Sequence, residues 1–204
     1  MKNLLFIVLL FVCFSCEKKQ DNLKILEGNA IGTTFSIRYL DASNKKFNSE
    51  IDSLIKMVNR SVSTYISTSD ISKINKGDTT VVIDEFFEEI FLKSEKIYNE
   101  TNGDFDPTVG ILVNAWGFGP RKKLTIEKQK IDSILEFVGL KKIKLKGNKI
   151  IKKDPRVSLD FNAFAQGYSV DVVSEFLSSK QINSFLVEIG GEVYAKGKKP
   201  TGDY

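Results

Sequence analysis

The stretch VSLDFNAFAQGYSVDVVSEFLSSKQINSFLVEIGGEVYAKG, Val157 to Gly197, reads as strand, helix, strand, strand, and it decides the fold class. RVSLDF has the β-branched and apolar content of a strand, and SFLVEI and EVYAKG alternate apolar with polar residues. Asn162 opens the intervening helix NAFAQGYSVDVVSEFLSSKQ as a candidate N-cap. Gly190-Gly191 between the last two strands is either a tight turn or a place of close backbone approach.

Working back toward the N-terminus, IGTTFSIRYL (Ile31–Leu40) reads as another strand. Helical spacing predicts helices over 48–63, with Ile51, Leu54, Ile55 and Val58 inward, and over 84–103, opening on acids and closing near Gly103. A third helix is predicted over 125–140, with Ile131, Ile134, Leu135 and Val138 inward. KIKLKGNKIIKK is two short alternating runs around Gly147-Asn148, a hairpin signal. This order is neither a strict strand-helix alternation nor all-β. It predicts one α+β domain, with helices packed on a mixed or antiparallel sheet.

The 204 residues are 42% hydrophobic and 27% charged, enough apolar content for a single buried core. The net charge of +4 comes from lysines interspersed with acids, so the basic runs read as solvated edges and turns, and no nucleic-acid partner is expected. The sequence contains no histidine, which excludes from it a Ser-His-Asp or Cys-His nucleophile and a His-ligated metal. Carboxylates, hydroxyls, lysines and backbone groups are left for chemistry.

The N-terminal segment MKNLLFIVLLFVCFSCEKKQDN has a lysine, the apolar run Leu4 to Phe14, then Ser15 and Cys16. The run is short of the roughly 20 residues that span a bilayer, so it reads as an export signal. The sharper form is a lipoprotein signal over 1–15, with Cys16 lipidated and 16–26 as a tether before a domain over 27–204. A plain secretory peptide or an N-terminal anchor is the alternative.

Four stretches place chemistry-bearing groups close together. In SLDFNAFAQGY, the first-turn N–H groups after Asn162 make a site for a phosphate, and Asp160 on its rim would repel that phosphate unless a divalent cation or a sugar or base donor lay between them. The Ala163 carbonyl has no bulky side chain beside it and suits a hard cation. Thr101 to Pro120, TNGDFDPTVGILVNAWGFGP, reads as a glycine-rich loop that carries Asp104, Asp106 and the only tryptophan. There Asp106 either hydrogen-bonds its own backbone in a turn or joins a wall for a planar, hydroxyl-bearing ligand. In STYISTSDISKIN (Ser63–Asn75), Tyr65 either stacks on an aromatic ligand or staples the preceding helix to the core. The fourth is VEIGGEVYAKG, with its paired glycines.

With Ile31-Gly32-Thr33-Thr34-Phe35, these stretches resemble, in order, the motifs of the FAD:protein FMN transferases, the ApbE-type thiamine-biosynthesis lipoproteins. The resemblance implies an ApbE-like, T-fold-related α+β domain and a Mg²⁺-dependent enzyme facing the periplasm. Such an enzyme transfers the FMN half of FAD to a Thr or Ser hydroxyl of a flavoprotein acceptor in a membrane redox complex and releases AMP. Carried over by position, it implies FAD contacts at Tyr65, Asp104, Phe105, Asp106, Asp160 and Gln166, and Mg²⁺ at the Ala163 carbonyl. Gln166 stands where many members have lysine, so more of the phosphate's charge falls to the metal. Ile31 replaces the usual methionine. The resemblance also implies further strands past Tyr204, with an Asp and a Thr that complete the metal site and the catalytic base. An FAD pyrophosphatase yielding FMN and AMP, a non-catalytic FAD-binding lipoprotein, and an exported interaction module are the competing readings.

Overall fold

The computed structural model describes residues 22–43, 45–120, 128–199 and 202–203. The signal segment 1–15, Cys16 and residues 16–21 of the tether lie outside them. Residues 22–26, expected in the tether, are instead the first half of a strand. That strand, β1 (Asn22–Ala30), pairs antiparallel with β2 (Thr33–Asp41), Asn22 facing Asp41 and Ala30 facing Thr33. Its inward positions include Lys24 and Gly28 while Leu23 and Ile25 face solvent, so its hydrophobic pattern is reversed over half its length.

β2 begins two residues later than the sequence indicates. Ile31 (φ 51°) and Gly32 (φ 74°) take the two left-handed positions of a hairpin turn. Glycine does so without strain, whereas a β-branched isoleucine there is an outlier.

Down the chain come α1 (Asn48–Val62), α2 (Asp70–Asn75), α3 (Glu85–Glu100), α4 (Gly110–Trp116), α5 (Lys128–Leu135), the hairpin β3 (Ile143–Lys146) with β4 (Lys149–Lys152), and α6 (Asn162–Ser179). The chain then returns to the first sheet as β5 (Phe185–Ile189) and β6 (Glu192–Lys196), followed by a short pair, β7 (Lys198–Lys199) and β8 (Gly202–Asp203). The main sheet has the order β1-β2-β5-β6, with every pair antiparallel. The architecture is the α+β single domain expected.

One core joins the sheet to the helices. Leu26, Ile37, Tyr39, Phe185, Val187 and Ile189 pack against Ile51 and Ile55 of α1 and Val170, Val173 and Leu177 of α6. A second core gathers Val58 and Val62 of α1, Ile71 and Ile74 of α2, Phe87, Ile90 and Phe91 of α3, and Ala165 and Tyr168 of α6. α6 thus buries residues on several sides, which is why its sequence lacks a clean polar face. α3 is capped by Asp84, whose Oδ1 accepts from the Phe87 N–H at 3.0 Å and from the Ser61 hydroxyl at 2.7 Å.

Two expectations need correction. The predicted helix over 125–140 ends at Leu135, and Leu135 itself is 46% exposed. Val157 to Asp160 is extended, with Val157, Leu159 and Asp160 buried and Ser158 half-buried, yet among the described residues it belongs to no sheet. Its one bridge runs parallel from Ser158 to Val109.

Candidate functional site

The two hairpin turns of the main sheet stand side by side at one end of it. Gly190 N–H donates to the Thr34 carbonyl at 3.1 Å, which brings turn 190–191 against turn 31–32. Gly190 (φ 60°) also admits Gln166 of α6, since a Cβ there would sit 2.7 Å from both Gln166 Nε2 and Thr33 Cγ2. Turn glycines and close approach are therefore one fact at this position.

The mouth of α6 opens beside these turns. Asn162 is not the N-cap expected from sequence. It is the first helical residue, and the preceding Phe161 makes no side-chain cap. The capping acceptor is Asp160, whose Oδ1 receives the Asn162 N–H at 2.8 Å and whose Oδ2 receives the Asn162 amide at 3.2 Å. The same amide donates to the Thr64 hydroxyl at 3.3 Å.

Asp160 is only 9% exposed, and among the described residues it makes no ion pair. Burial pushes its carboxyl above the usual carboxylate range, and the bond from the Asn162 N–H offsets this in part. An ionised carboxylate accepts about four hydrogen bonds, and this one receives two.

A hard cation fits such a place. Asp160 and Ala163 both line the cleft at this mouth, and a carboxylate and a backbone carbonyl are the oxygen ligands such a cation takes. Ala163 lies in the first turn of α6, so its carbonyl leans along the helix toward residue 167 and keeps a second lone pair. Residue 167 is a glycine whose missing Cβ would meet nothing within 4 Å, so that flank is open.

A cleft of about 810 Å³ runs over this mouth, the size of a small-molecule site. Ile31 and Gly32, Tyr65, Phe105 and Asp106, Asp160 and Ala163, and Gln166 all line it. Of the expected contact residues, only Asp104 does not, lying exposed in the turn after α3.

Phe105 packs edge-on against Phe164 of α6 with centroids 5.2 Å apart. Asp106 lines the cleft but holds the fold: Oδ1 receives the Thr108 N–H at 2.8 Å and its hydroxyl at 2.5 Å, and Oδ2 receives the Leu140 N–H at 3.1 Å. The turn reading of Asp106 is the one its geometry supports. Tyr65 does not staple α1 to the core; it is 60% exposed, and its hydroxyl donates to the Phe118 carbonyl at 2.8 Å.

Sequence reasoning passed over Phe118, Thr64 and Asn75. Phe118 is 73% exposed on the rim of the cleft beside Tyr65, and two solvated aromatic faces there suit a planar ring. The glycine-rich stretch expected as a loop contains α4, so Val113 and Phe118 lie on the cleft while Ile111 and Asn114 face a second cavity of about 620 Å³. Among the described residues, only Tyr65 borders both cavities.

The chain is similar to proteins named FAD:protein FMN transferase, at 36% identity over 92% of its length for that of Haemophilus influenzae and 32% over 95% for that of Vibrio cholerae. It spans 58% and 60% of those relatives. The flavin transferase ApbE structure from Vibrio cholerae superposes with a TM-score of 0.83 at 31% identity, covering 89% of this chain and 62% of that one. The apo flavinyl transferase ApbE of Pseudomonas stutzeri gives 0.82 at 28%, covering 92% and 63%. Residues 31–204 match the sequence profile of the ApbE family. With its motifs gathered at one cleft and that match over most of its length, the chain belongs to the ApbE family.

Proposed function

We propose that this chain carries the greater part of a Mg²⁺-dependent flavin transferase, which takes FAD, moves FMN to a Thr or Ser hydroxyl of a flavoprotein, and releases AMP. The observation that carries the reading is the convergence of Ile31, Gly32, Tyr65, Phe105, Asp160, Ala163 and Gln166 on a single cleft at the mouth of α6, with Gly190 set against Gln166. Relatives that bear the transferase name support it.

The pyrophosphate of FAD would lie at the α6 mouth, where the helix dipole meets its charge; the Asn162, Phe164 and Ala165 N–H groups are taken by Asp160 Oδ1 and the Phe161 carbonyl, which leaves the Ala163 N–H of the first turn as the donor. Tyr65 and Phe118 would take a planar ring of the dinucleotide. Gln166 would donate to a phosphate oxygen without adding charge. Asp160 and the Ala163 carbonyl would hold Mg²⁺, which when bound offsets the negative charge of the phosphoryl oxygens. The acceptor hydroxyl oxygen would form the new bond to the FMN phosphorus as the bond to AMP breaks. Its proton would pass to a general base.

The acceptor would be a flavoprotein of a membrane redox complex. The N-terminal segment supports a lipid-anchored placement facing the periplasm, with Cys16 as the lipidated residue. Cys16→Ser should then release the protein from the membrane fraction, and retention there would overturn the anchor.

Incubating the protein with FAD, Mg²⁺ and a flavoprotein acceptor should give covalent flavin on the acceptor with AMP in equal amount. Free FMN and AMP alone would indicate a pyrophosphatase, and no turnover with intact FAD binding would indicate a flavin carrier.

A further inference from the structure

The extended segment 157–160 delivers Asp160 to the cleft without belonging to a sheet, so its placement depends on isolated bonds from elsewhere. On one edge, Gly110 N–H donates to the Ser158 carbonyl at 3.1 Å and Asp160 N–H donates to the Pro107 carbonyl at 2.8 Å. On the other, both backbone groups of Leu159 are taken by one side chain. Asn75 Nδ2 donates to the Leu159 carbonyl at 2.8 Å, and Leu159 N–H donates to Asn75 Oδ1 at 2.8 Å.

A carboxamide presents one donor and one acceptor side by side, as a peptide group does. Asn75 therefore acts as a single rung of the neighbouring strand that this segment lacks. It closes α2, a helix fixed at its start by Ser69, whose Oγ accepts from Ser72 N–H at 3.2 Å and whose hydroxyl donates to the Ser63 carbonyl at 2.6 Å. Between those points lies Thr64, which meets Asn162 on the far side of Asp160. One connected piece of chain, 63–75, thus holds the residues on either side of Asp160.

We propose that Asn75 is a positioning residue for the dinucleotide site, acting through Leu159 to set where the Asp160 carboxylate stands. The inference rests on the flavin reading above. It also accounts for an asparagine that lines the second cavity and not the flavin cleft yet is tied to the segment that carries Asp160.

The test measures FAD affinity with Mg²⁺, by quenching of flavin fluorescence, and melting temperature in the intact protein. Asn75→Ala should weaken FAD binding about tenfold or more, as a displaced anchoring group does. Ile74→Val, which trims the adjacent core residue, should lower the melting temperature and leave affinity unchanged. In an Asp160→Asn background, Asn75→Ala should add no more than about a twofold loss, because both changes act on one group. Affinity in Asn75→Ala equal to that of Ile74→Val, or an equal loss in both backgrounds, would overturn the positioning role. If Ala at 75 does not fold, Asn75→Asp keeps the acceptor for Leu159 N–H and carries the same comparison. A wild-type protein that takes up no FAD brings down the flavin reading and this role together, whereas normal uptake with a neutral Asn75→Ala brings down the role alone.

Discussion

A carboxylate nine-tenths covered by protein and given donors by one neighbour alone is held in its charged form at a cost. Because burial raises the Asp160 pKa above its unfolded value, the folded state binds the proton more tightly. Stability therefore falls as pH rises through the window between the unfolded and folded values. Asp160→Asn keeps the acceptor for the Asn162 N–H and removes the charge. It should raise the melting temperature at pH 7, by roughly 2–4 °C for each kcal/mol gained, and, on the function proposed above, should reduce without abolishing the added stability from Mg²⁺ and FAD. Thermal melts with and without the two ligands check both parts. Gly167→Ala is a companion case: a methyl there meets nothing, so the helix should gain about 0.5–1 kcal/mol. If the Ala163 carbonyl binds the metal on that flank, the Mg²⁺ dependence of FAD affinity should weaken at the same time.

At the level of elements, the loop 104–110 and the segment 157–160 stand or fall together. Gly110 lies so close to that segment that a Cβ would be 2.8 Å from the Ser158 carbonyl oxygen and 2.9 Å from that of Leu159. Gly110→Ala should destabilise by about 1–3 kcal/mol in urea unfolding and weaken FAD binding, because the backbone that must yield carries Asp160. Asp106→Ala should cost a similar 1–3 kcal/mol through the orphaned Leu140 and Thr108 groups. Its effect on FAD affinity should be smaller than that of Phe105→Ala, whose ring lines the cleft. Periodicity made α1, α3, α6, the β3–β4 hairpin and β5–β6 legible, since each follows its own repeat. Three features escaped it for physical reasons. β1 turns Leu23 and Ile25 outward, 157–160 is extended but paired by a side chain and a loop, and α4 is a helix of seven residues read as a glycine-rich loop. The cleft residues were legible through motif order. Asn75, Thr64 and Phe118 were not, because their contacts lie 84, 98 and 53 residues away in the chain.

For the molecule as a whole, α6 ties the two cores together, with Val173 and Leu177 in one and Ala165 and Tyr168 in the other. Phe161, fully buried just before it and edge-on to Phe87 at 5.3 Å, should therefore be a global determinant. Phe161→Ala should destabilise by about 3–5 kcal/mol in one cooperative transition. Two separate transitions would show that the cores unfold independently. The direction of β1 has a spatial consequence as well. It enters the sheet at Asn22, opposite Asp41, and reaches the cleft only at the Ala30 turn, roughly 27 Å further on at the usual rise per strand residue. A bilayer or a bead that held the chain upstream of Asn22 would therefore hold it at the end of the sheet away from the cleft, and on the function proposed above the opening would face outward, toward an incoming acceptor.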